Sequence, residues 1–134
     1  MKVVFDTNVI ISTFVFKGFS AKVYEYCIRE EEIHLSGWIL KEVERILIQK
    51  FNIEEQIVFE ILNLIKEKVT ITEPAIEEPK ICRDVDDNKI LQLSDYVKAE
   101  FIITGDKDLL ELIKYKGAMI VNPREFYSSI IEKK

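Results

Sequence analysis

The sequence predicts an α/β fold, a three-layer α/β/α sandwich around a mainly parallel five-stranded sheet. Short apolar runs typical of buried strands alternate along the chain with longer segments whose apolar residues recur at three- and four-residue spacings, as in helices with one buried face. The composition is globular, with 48% hydrophobic and 32% charged residues and only 4 Gly and 3 Pro. A chain of 134 residues fits one domain, which we place at 1–134.

The first half of the chain is predicted to contain two strands and three helices. In order, they are a strand at 3–5, a helix at 21–29, a strand at 33–36, and helices at 38–50 and 53–68. Asp6 closes the first strand and begins a turn, Ser20 is placed to cap the first helix, and Gly37 stops the second strand. The helix at 53–68 is apolar on more than one side, and we expect core packing rather than a second subunit to be the reason.

The second half continues the alternation. Its predicted elements are a strand at 69–72, a helix at 87–98, a strand at 101–104, a helix at 109–114 that Gly117 ends, and a strand at 119–121. Pro123 is well placed to start a final helix. The connection at 73–86 is long for a segment without regular structure, so we expect a mobile surface loop near the functional region.

Acidic residues lie where this fold would bring them together. Asp6 and Asp106 follow two strongly apolar strands, Glu42 lies in the first turns of the helix after the second strand, and Asp87 begins the helix before the fourth strand. In such folds the site lies at the carboxyl ends of the strands. Carboxylates suit hard cations such as Mg²⁺ or Mn²⁺, and a cation held this way supports hydrolysis of a phosphodiester.

Each acid also has a simpler interpretation, as a helix cap or a partner of a helix dipole. Glu42 in particular lies on what looks like an ordinary solvated helix face. Asp84 and Asp86 compete with Asp87 for one position, and we choose Asp87 because it leads directly into an apolar helical pattern. The repeated placement of an Asp after an apolar strand favours a site over two unrelated caps.

Charge and cysteine content set further bounds. The net charge of −5 argues against a nucleic-acid partner at first sight, but four acids at a cation site would leave the rest of the protein near neutrality, which permits a basic rim. Cys27 and Cys82 lack metal-ligand spacing and are expected to be free thiols. The apolar start of the chain is too short for a signal peptide and no apolar run is long enough for a membrane span, so we expect a cytoplasmic protein that does not contact a membrane.

Three segments resemble the motifs of PIN-domain nucleases. Residues 5–12, FDTNVIIS, resemble the opening motif, residues 103–109, ITGDKDL, the fourth-strand motif, and residues 87–91, DNKIL, the central motif. The resemblance covers essentially the whole chain. It implies the strand order 3-2-1-4-5, Mg²⁺- or Mn²⁺-dependent cleavage of single-stranded RNA, and a homodimer. It is nearest to the VapC-like toxins of prokaryotic toxin–antitoxin pairs, whose partner is a small antitoxin that occludes the site.

The resemblance also implies roles for single residues. The metal-binding quartet would be Asp6, Glu42, Asp87 and Asp106, with Asp108 as a candidate outer or second-metal ligand, and Asn8 and Thr104 as residues that orient the acids and bound water. Independently of the resemblance, three basic residues lie beside these acids in the sequence and are candidate phosphate contacts, namely Arg83, Lys89 and Lys107. Solvated surface charge is the alternative reading of those three basic residues.

Two other functions compete with the ribonuclease. An aspartyl phosphatase would also use an Asp after the first strand, but such enzymes show an Asp-x-Asp pattern there, and this chain has Asp6-Thr7-Asn8. A catalytically inactive PIN-like module would keep the fold and bind RNA or a protein without turnover. Cleavage of RNA separates the three hypotheses.

Overall fold

The computed structural model describes residues 1–133, which form one six-stranded sheet covered by helices. The strands are β1 (Lys2–Phe5), β2 (Glu32–Leu35), β3 (Thr70–Ile71), β4 (Phe101–Ile103), β5 (Lys114–Tyr115) and β6 (Ala118–Val121). Their order is β3-β2-β1-β4-β6-β5, and every pairing is parallel except the one between β5 and β6. The predicted fold class and strand order are therefore confirmed, with β6 as the predicted fifth strand and β5 as an additional short edge strand.

The central strand explains why helices must cover both faces of the sheet. Val3, Val4 and Phe5 of β1 are all completely buried, although successive side chains of a strand point to opposite faces. Ile102 and Ile103 of β4 are buried in the same way. Continuous burial of this kind is typical of a parallel sheet between two helical layers, because one open face would leave alternate residues in water.

The helices differ from the sequence prediction mainly at their starts. They are α1 (Thr7–Val15), α2 (Gly18–Glu30), α3 (Gly37–Gln49), α4 (Glu55–Lys68), α5 (Val85–Val97), α6 (Lys107–Glu111) and α7 (Pro123–Phe126), the last continued by a π-helical turn at Tyr127–Ile131. Where a turn was predicted after Asp6, helix α1 begins at once. Ser20 lies inside α2 instead of capping it, because the chain turns earlier, at Lys17 with a left-handed φ of 66°.

The later predicted bounds also need correction. Helix α5 begins two residues before Asp87, and Asp84 is its N-cap. Helix α6 ends at Glu111, so Gly117 does not end it but lies in the turn between β5 and β6. The predicted start of the last helix at Pro123 is confirmed, and Asn122 closes a capping box with Glu125.

Helix α4 shows two apolar stripes, only one of which is buried. Val58, Leu62 and Ile65 face the core at helical spacing. The second stripe faces solvent, since Ile57 is 44% and Leu64 55% exposed. The expectation that core packing explains both stripes is therefore wrong.

Two smaller predictions can be compared with the structure. Cys27 and Cys82 are free thiols, as expected. Among residues 1–133, no helix has the length and apolar character needed to cross a membrane.

Candidate functional site

The predicted acids meet in a cleft of about 130 Å³ at the carboxyl ends of β1 and β4. We call it the acid cleft. Six acidic residues line it, namely Asp6, Glu42, Asp84, Asp86, Asp87 and Asp106. The fold thus collects side chains from four separate stretches of sequence at the sheet edge where parallel α/β folds carry their sites.

Asp6 ends β1 and precedes α1, but its side chain is not used as a helix cap. Its backbone N–H donates to the carbonyl of Ile103 at 2.9 Å, which fixes it against the end of β4. No capping hydrogen bond involves its carboxylate within residues 1–133, and Oδ2 instead accepts a hydrogen bond from Thr104 Oγ1 at 2.7 Å. Burial raises the pKa of Asp6, and the Thr104 bond opposes that rise. The simple capping interpretation of Asp6 therefore does not describe its side chain.

Thr104 joins the ends of the two central strands through one hydroxyl group. The residue is completely buried, and while it donates to Asp6 it accepts the backbone N–H of Asp106 at 3.0 Å. Asp106 in turn caps α6, because its Oδ1 accepts the N–H groups of Asp108 and Leu109 at 2.8 and 3.2 Å. The capping bonds use one carboxylate oxygen and hold the side chain in a fixed position, so Oδ2 can serve a ligand.

Asp87 lies in the first turn of α5 and is only 5% exposed. Its Oδ2 is buried and has no hydrogen-bond partner within residues 1–133. Burial raises the pKa of Asp87 to about 7, and repulsion from other acids, led by Asp106 and Asp6, adds to the rise. A carboxylate in this condition is poorly satisfied unless a proton or a cation joins it.

The structure separates the three acids at the start of α5. Asp84 Oδ1 accepts the N–H of Asp86 at 2.9 Å and so caps the helix, and Asp86 is exposed. Asp87 alone of the three is buried. This geometry favours Asp87 as the inward-facing acid.

Three carboxylates, two from the cleft and that of Asp108 next to it, are close enough to share one ion. Oxygen atoms of Asp87, Asp106 and Asp108 lie within 4.8 Å of one another, and the three residues could hold a metal ion. Asp6 and Glu42 line the same cleft but lie outside this group of three. An all-oxygen donor set suits Mg²⁺ or Mn²⁺.

Two arginines pair with acids of the site, Arg45 inside the cleft and Arg83 at Asp108. Arg45 donates through Nη2 and Nε to Glu42 at 2.9 and 3.2 Å, and this hydrogen bonding lowers the pKa of Glu42. Arg83 Nη2 lies 3.1 and 3.2 Å from the two carboxylate oxygens of Asp108. Arg83 was a predicted phosphate contact, whereas Arg45 was missed, although its position three residues after Glu42 on one helix was a usable signal.

Within residues 1–133, the remaining predicted residues donate no hydrogen bond to the acids of the cleft. Asn8 is exposed on the cleft wall, and Lys107 is exposed at the first position of α6. Lys89 Nζ lies 2.9 Å from Glu78 Oε1 and 5.7 Å from the centre of the Trp38 ring. Trp38 itself lines the cleft and was not predicted as a site residue.

A buried asparagine fastens the long connection at 72–84 beside the site. Asn88 Oδ1 accepts the N–H groups of Ile81 and Cys82 at 3.2 and 2.8 Å, and its Nδ2 donates to the Cys82 carbonyl at 3.2 Å. Asn88 follows Asp87 directly, so the end of the connection is tied to the helical turn that carries the buried acid. Sequence inspection missed this role, because an Asn at a helix start is ordinarily read as a cap.

Comparison with known proteins agrees with this description. The profile of the PIN domain matches residues 2–108. An uncharacterised protein of Methanocaldococcus jannaschii is 35% identical over 118 residues, which cover 84% of this chain and 75% of that protein. The crystal structure of VapBC2 from Rickettsia felis bound to a DNA fragment from their promoter matches with a TM-score of 0.68 and 12% identity, over 91% of this chain and 98% of the matched chain. At that identity the likeness concerns the fold.

Proposed function

Since the chain belongs to the PIN-domain family, a family of nucleases, we propose that it is a Mg²⁺- or Mn²⁺-dependent endoribonuclease that hydrolyses phosphodiester bonds of single-stranded RNA. The observation that carries the proposal is the convergence of Asp87, Asp106 and Asp108, whose oxygens lie within 4.8 Å of one another. Like charges at this spacing repel, and a divalent cation is the group that best relieves the repulsion.

The residues present fit such a cation. The orphaned Oδ2 of Asp87 and the uncapped Oδ2 of Asp106 are hard oxygen donors. Asp108 completes the group, while Asp6 and Glu42 face the same space and would act as further ligands or hold metal-bound water. A bound divalent cation supplies a water of lowered pKa and neutralises charge on the phosphate oxygens.

The protein's own groups would orient the reactants and handle the proton. Thr104 holds Asp6 through Oδ2 and so fixes the orientation of this carboxylate, which lines the cleft. Because burial raises the pKa of Asp6, this side chain would be a stronger base than an exposed carboxylate and is suited to take a proton from an attacking water. The guanidinium groups of Arg45 and Arg83, now paired with Glu42 and Asp108, can form bidentate contacts with RNA phosphates.

A protein partner is also part of the proposal. The motifs in the sequence resemble those of VapC-like toxins, and the fold matches a chain of the VapBC2 structure from Rickettsia felis over nearly its full length. We therefore propose that this chain is the toxin of a toxin–antitoxin pair and that a small antitoxin binds it. The DNA in the matched crystal structure belongs to that complex.

The decisive experiment is cleavage of an end-labelled single-stranded RNA by the purified protein. We expect products with Mn²⁺ or Mg²⁺, none with EDTA, and a loss of at least about 100-fold in Asp6→Asn and Asp106→Asn with the fold retained by circular dichroism. Asp95→Asn makes the same charge change at a residue paired with Lys98 on the surface, and should cleave like the wild type.

Other outcomes identify the competing functions. RNA binding without products, with every divalent cation tried, would indicate the inactive binding module. A phosphoryl group trapped on the protein, with the RNA left intact, would indicate an aspartyl phosphatase. Full activity in Asp6→Asn would remove Asp6 from the mechanism while leaving the cleavage activity established.

A further inference from the structure

We propose that a pocket beside the acid cleft binds one nucleobase of the RNA and so selects the nucleotide next to the cleaved bond. We call it the Trp38 pocket. It has a volume of about 170 Å³ and is lined by Ser36, Trp38, Glu73, Pro74, Lys89 and Gln92. The inference rests on the proposed function, because only an RNA strand lying in the acid cleft would bring a base to this pocket.

The position of Trp38 links the pocket to the acids. Trp38 lines both the pocket and the acid cleft. It also lies four residues before Glu42 on α3, and side chains at that spacing share one helix face with their Cβ atoms about 5–6 Å apart. A nucleotide whose phosphate lies among the acids can therefore place its base against the indole ring.

The size and walls of the pocket suit one flat ring. Its volume is well below the roughly 300 Å³ at which pockets for drug-sized ligands begin, so it can take only a small group. Trp38 is half-buried and offers an aromatic surface, and Pro74 offers a second apolar wall. Proteins that hold single strands stack bases on such aromatic side chains, with a typical effect of about 5- to 150-fold in affinity per base.

The polar groups of the pocket are fixed by hydrogen bonds and can read a base edge. Glu73 Oε1 accepts the N–H of Gly37 at 2.8 Å, and a Cβ at Gly37 would lie only 2.5 Å from that oxygen, so a larger residue there would displace the Glu73 side chain. Ser36 Oγ accepts the N–H of the third residue of α3 at 3.2 Å, which leaves its hydroxyl proton to donate. Gln92 is held by its bond to the carbonyl of Ile76 at 2.7 Å. Bases splayed from a single strand are recognised through donors and acceptors of this kind.

The positive charge of Lys89 at the pocket can contact the phosphate of a nucleotide whose base lies in the pocket. Lys89 Nζ lies 5.7 Å from the Trp38 ring centre, where it makes a cation–π contact, and it pairs with Glu78 at 2.9 Å. A phosphate following the bound base can compete with Glu78 for this ammonium group. The sequence-based assignment of Lys89 as a phosphate contact is thus compatible with its place in the pocket.

Trp38 is the single tryptophan of the chain, so tryptophan fluorescence reports on this pocket and the adjoining acid cleft. We would titrate the wild-type protein with short single-stranded RNA in Ca²⁺, and follow both tryptophan fluorescence and the anisotropy of labelled RNA. We expect quenching on binding, and we expect an abasic nucleotide at one position of the RNA to abolish the quenching. Trp38→Phe should keep RNA affinity within about threefold, and Trp38→Ala should lower it by about 5- to 150-fold.

The control is Tyr96→Ala, which removes a 40% exposed aromatic side chain near the C-terminal end of α5. Tyr96 does not line the Trp38 pocket, so this variant should keep the RNA affinity of the wild type. RNA that binds and is cleaved without quenching Trp38, and with equal affinity for Trp38→Ala, would overturn the base pocket and leave the nuclease proposal intact. A wild-type protein that neither binds nor cleaves RNA would overturn both. If Trp38→Ala does not fold, the abasic scan with the wild-type protein still decides the question.

Discussion

Asp87 places an unsatisfied carboxylate oxygen inside the acid cleft, close to other acids that repel its charge. Such a carboxylate favours the binding of a cation but does not stabilise the folded protein by itself. In the free protein its proton relieves the repulsion, and in the complex proposed above a cation would do so. Protons and divalent cations should therefore compete at this residue, and metal affinity should increase as the pH rises through about 7.

The raised pKa of Asp87 predicts how stability depends on pH. Because the folded state holds this proton more tightly than the unfolded chain, the free energy of unfolding should fall as the pH rises from about 4 to about 7, and should stay lower above that range. Asp87→Asn cannot lose a proton, so at pH 8 in EDTA it should be more stable than the wild type by about 1–2 kcal/mol, after allowance for solvent screening.

Urea unfolding at several pH values between 4 and 8 checks this prediction. Asp95→Asn, on the surface, should keep the pH dependence of the wild type. Adding Mn²⁺ at pH 8 should stabilise the wild type much more than Asp87→Asn. An unchanged pH dependence in Asp87→Asn would show that Asp87 does not hold the raised pKa.

At the residue scale, the sequence could locate the acids and Thr104, but not the contacts that Trp38 and Asn88 make. Asp6 and Asp106 were recognisable because each follows an apolar strand, and the buried Asp87 because it leads into an apolar helical pattern. The contacts of Trp38 and Asn88 depend on a loop path that no local pattern encodes. The roles of these two residues could therefore be recognised only in the three-dimensional structure.

Helix α3 carries more of the site than any other element, since Trp38, Glu42 and Arg45 recur along it at helical spacing. Its N-terminal turns thus present an aromatic ring, an acid and a guanidinium group to one cleft. The Arg45–Glu42 pair is half-exposed on the arginine side, and exposed pairs of this kind are weak. A weak pair can exchange partners when metal and RNA bind.

Removing the Arg45 side chain should therefore change the affinities for metal and for RNA in opposite directions. Arg45→Ala frees Glu42 and removes a positive charge, so Mn²⁺ affinity should rise by about twofold, while RNA affinity should fall by about three- to tenfold through the lost phosphate contact. Calorimetry with Mn²⁺ and anisotropy with labelled RNA measure the two effects. Arg29→Ala breaks a loose surface pair with Glu30 at 3.9 Å and should change neither. A parallel fall in both affinities would argue that Arg45 only maintains the structure.

At the element scale, long amphipathic helices and fully apolar strands were predicted within a few residues. Helix α1 was missed because its β-branched residues and polar Ser12 and Thr13 show no clear helical pattern, and because its N-cap makes no side-chain hydrogen bond. Strand β5 was missed because it has two residues and follows Ile113 in a left-handed conformation. Both misses concern elements that tertiary contacts define.

For the molecule as a whole, the exposed stripe of α4 points to association. Ile57 and Leu64 lie about two turns apart on one side of the helix, and both are exposed. A surface stripe of this kind is typical of an interface, and the homodimer expected from the family resemblance supplies one. We therefore propose that this stripe forms the interface of a homodimer.

A charge on this stripe should dissociate the proposed dimer. Leu64→Lys would bury an unpaired ammonium group in the interface, so sedimentation velocity should show a monomer at concentrations where the wild type is dimeric. Glu25→Gln changes the charge by the same amount at an exposed position on α2, away from this stripe, and should remain dimeric. A wild-type protein that sediments as a monomer at high concentration would exclude this interface.

The hydrogen bonds of Asn88 couple the end of the connection between β3 and α5 to the first turns of α5. They tie the backbone at Ile81 and Cys82 to the turn that holds Asp87, and Arg83 follows within one residue of that tie. Any shift of that turn would thus move both a candidate metal ligand and a candidate phosphate contact. Substitutions in the connection between β3 and α5 that displace the backbone near Cys82 would therefore also change the charge balance of the cleft.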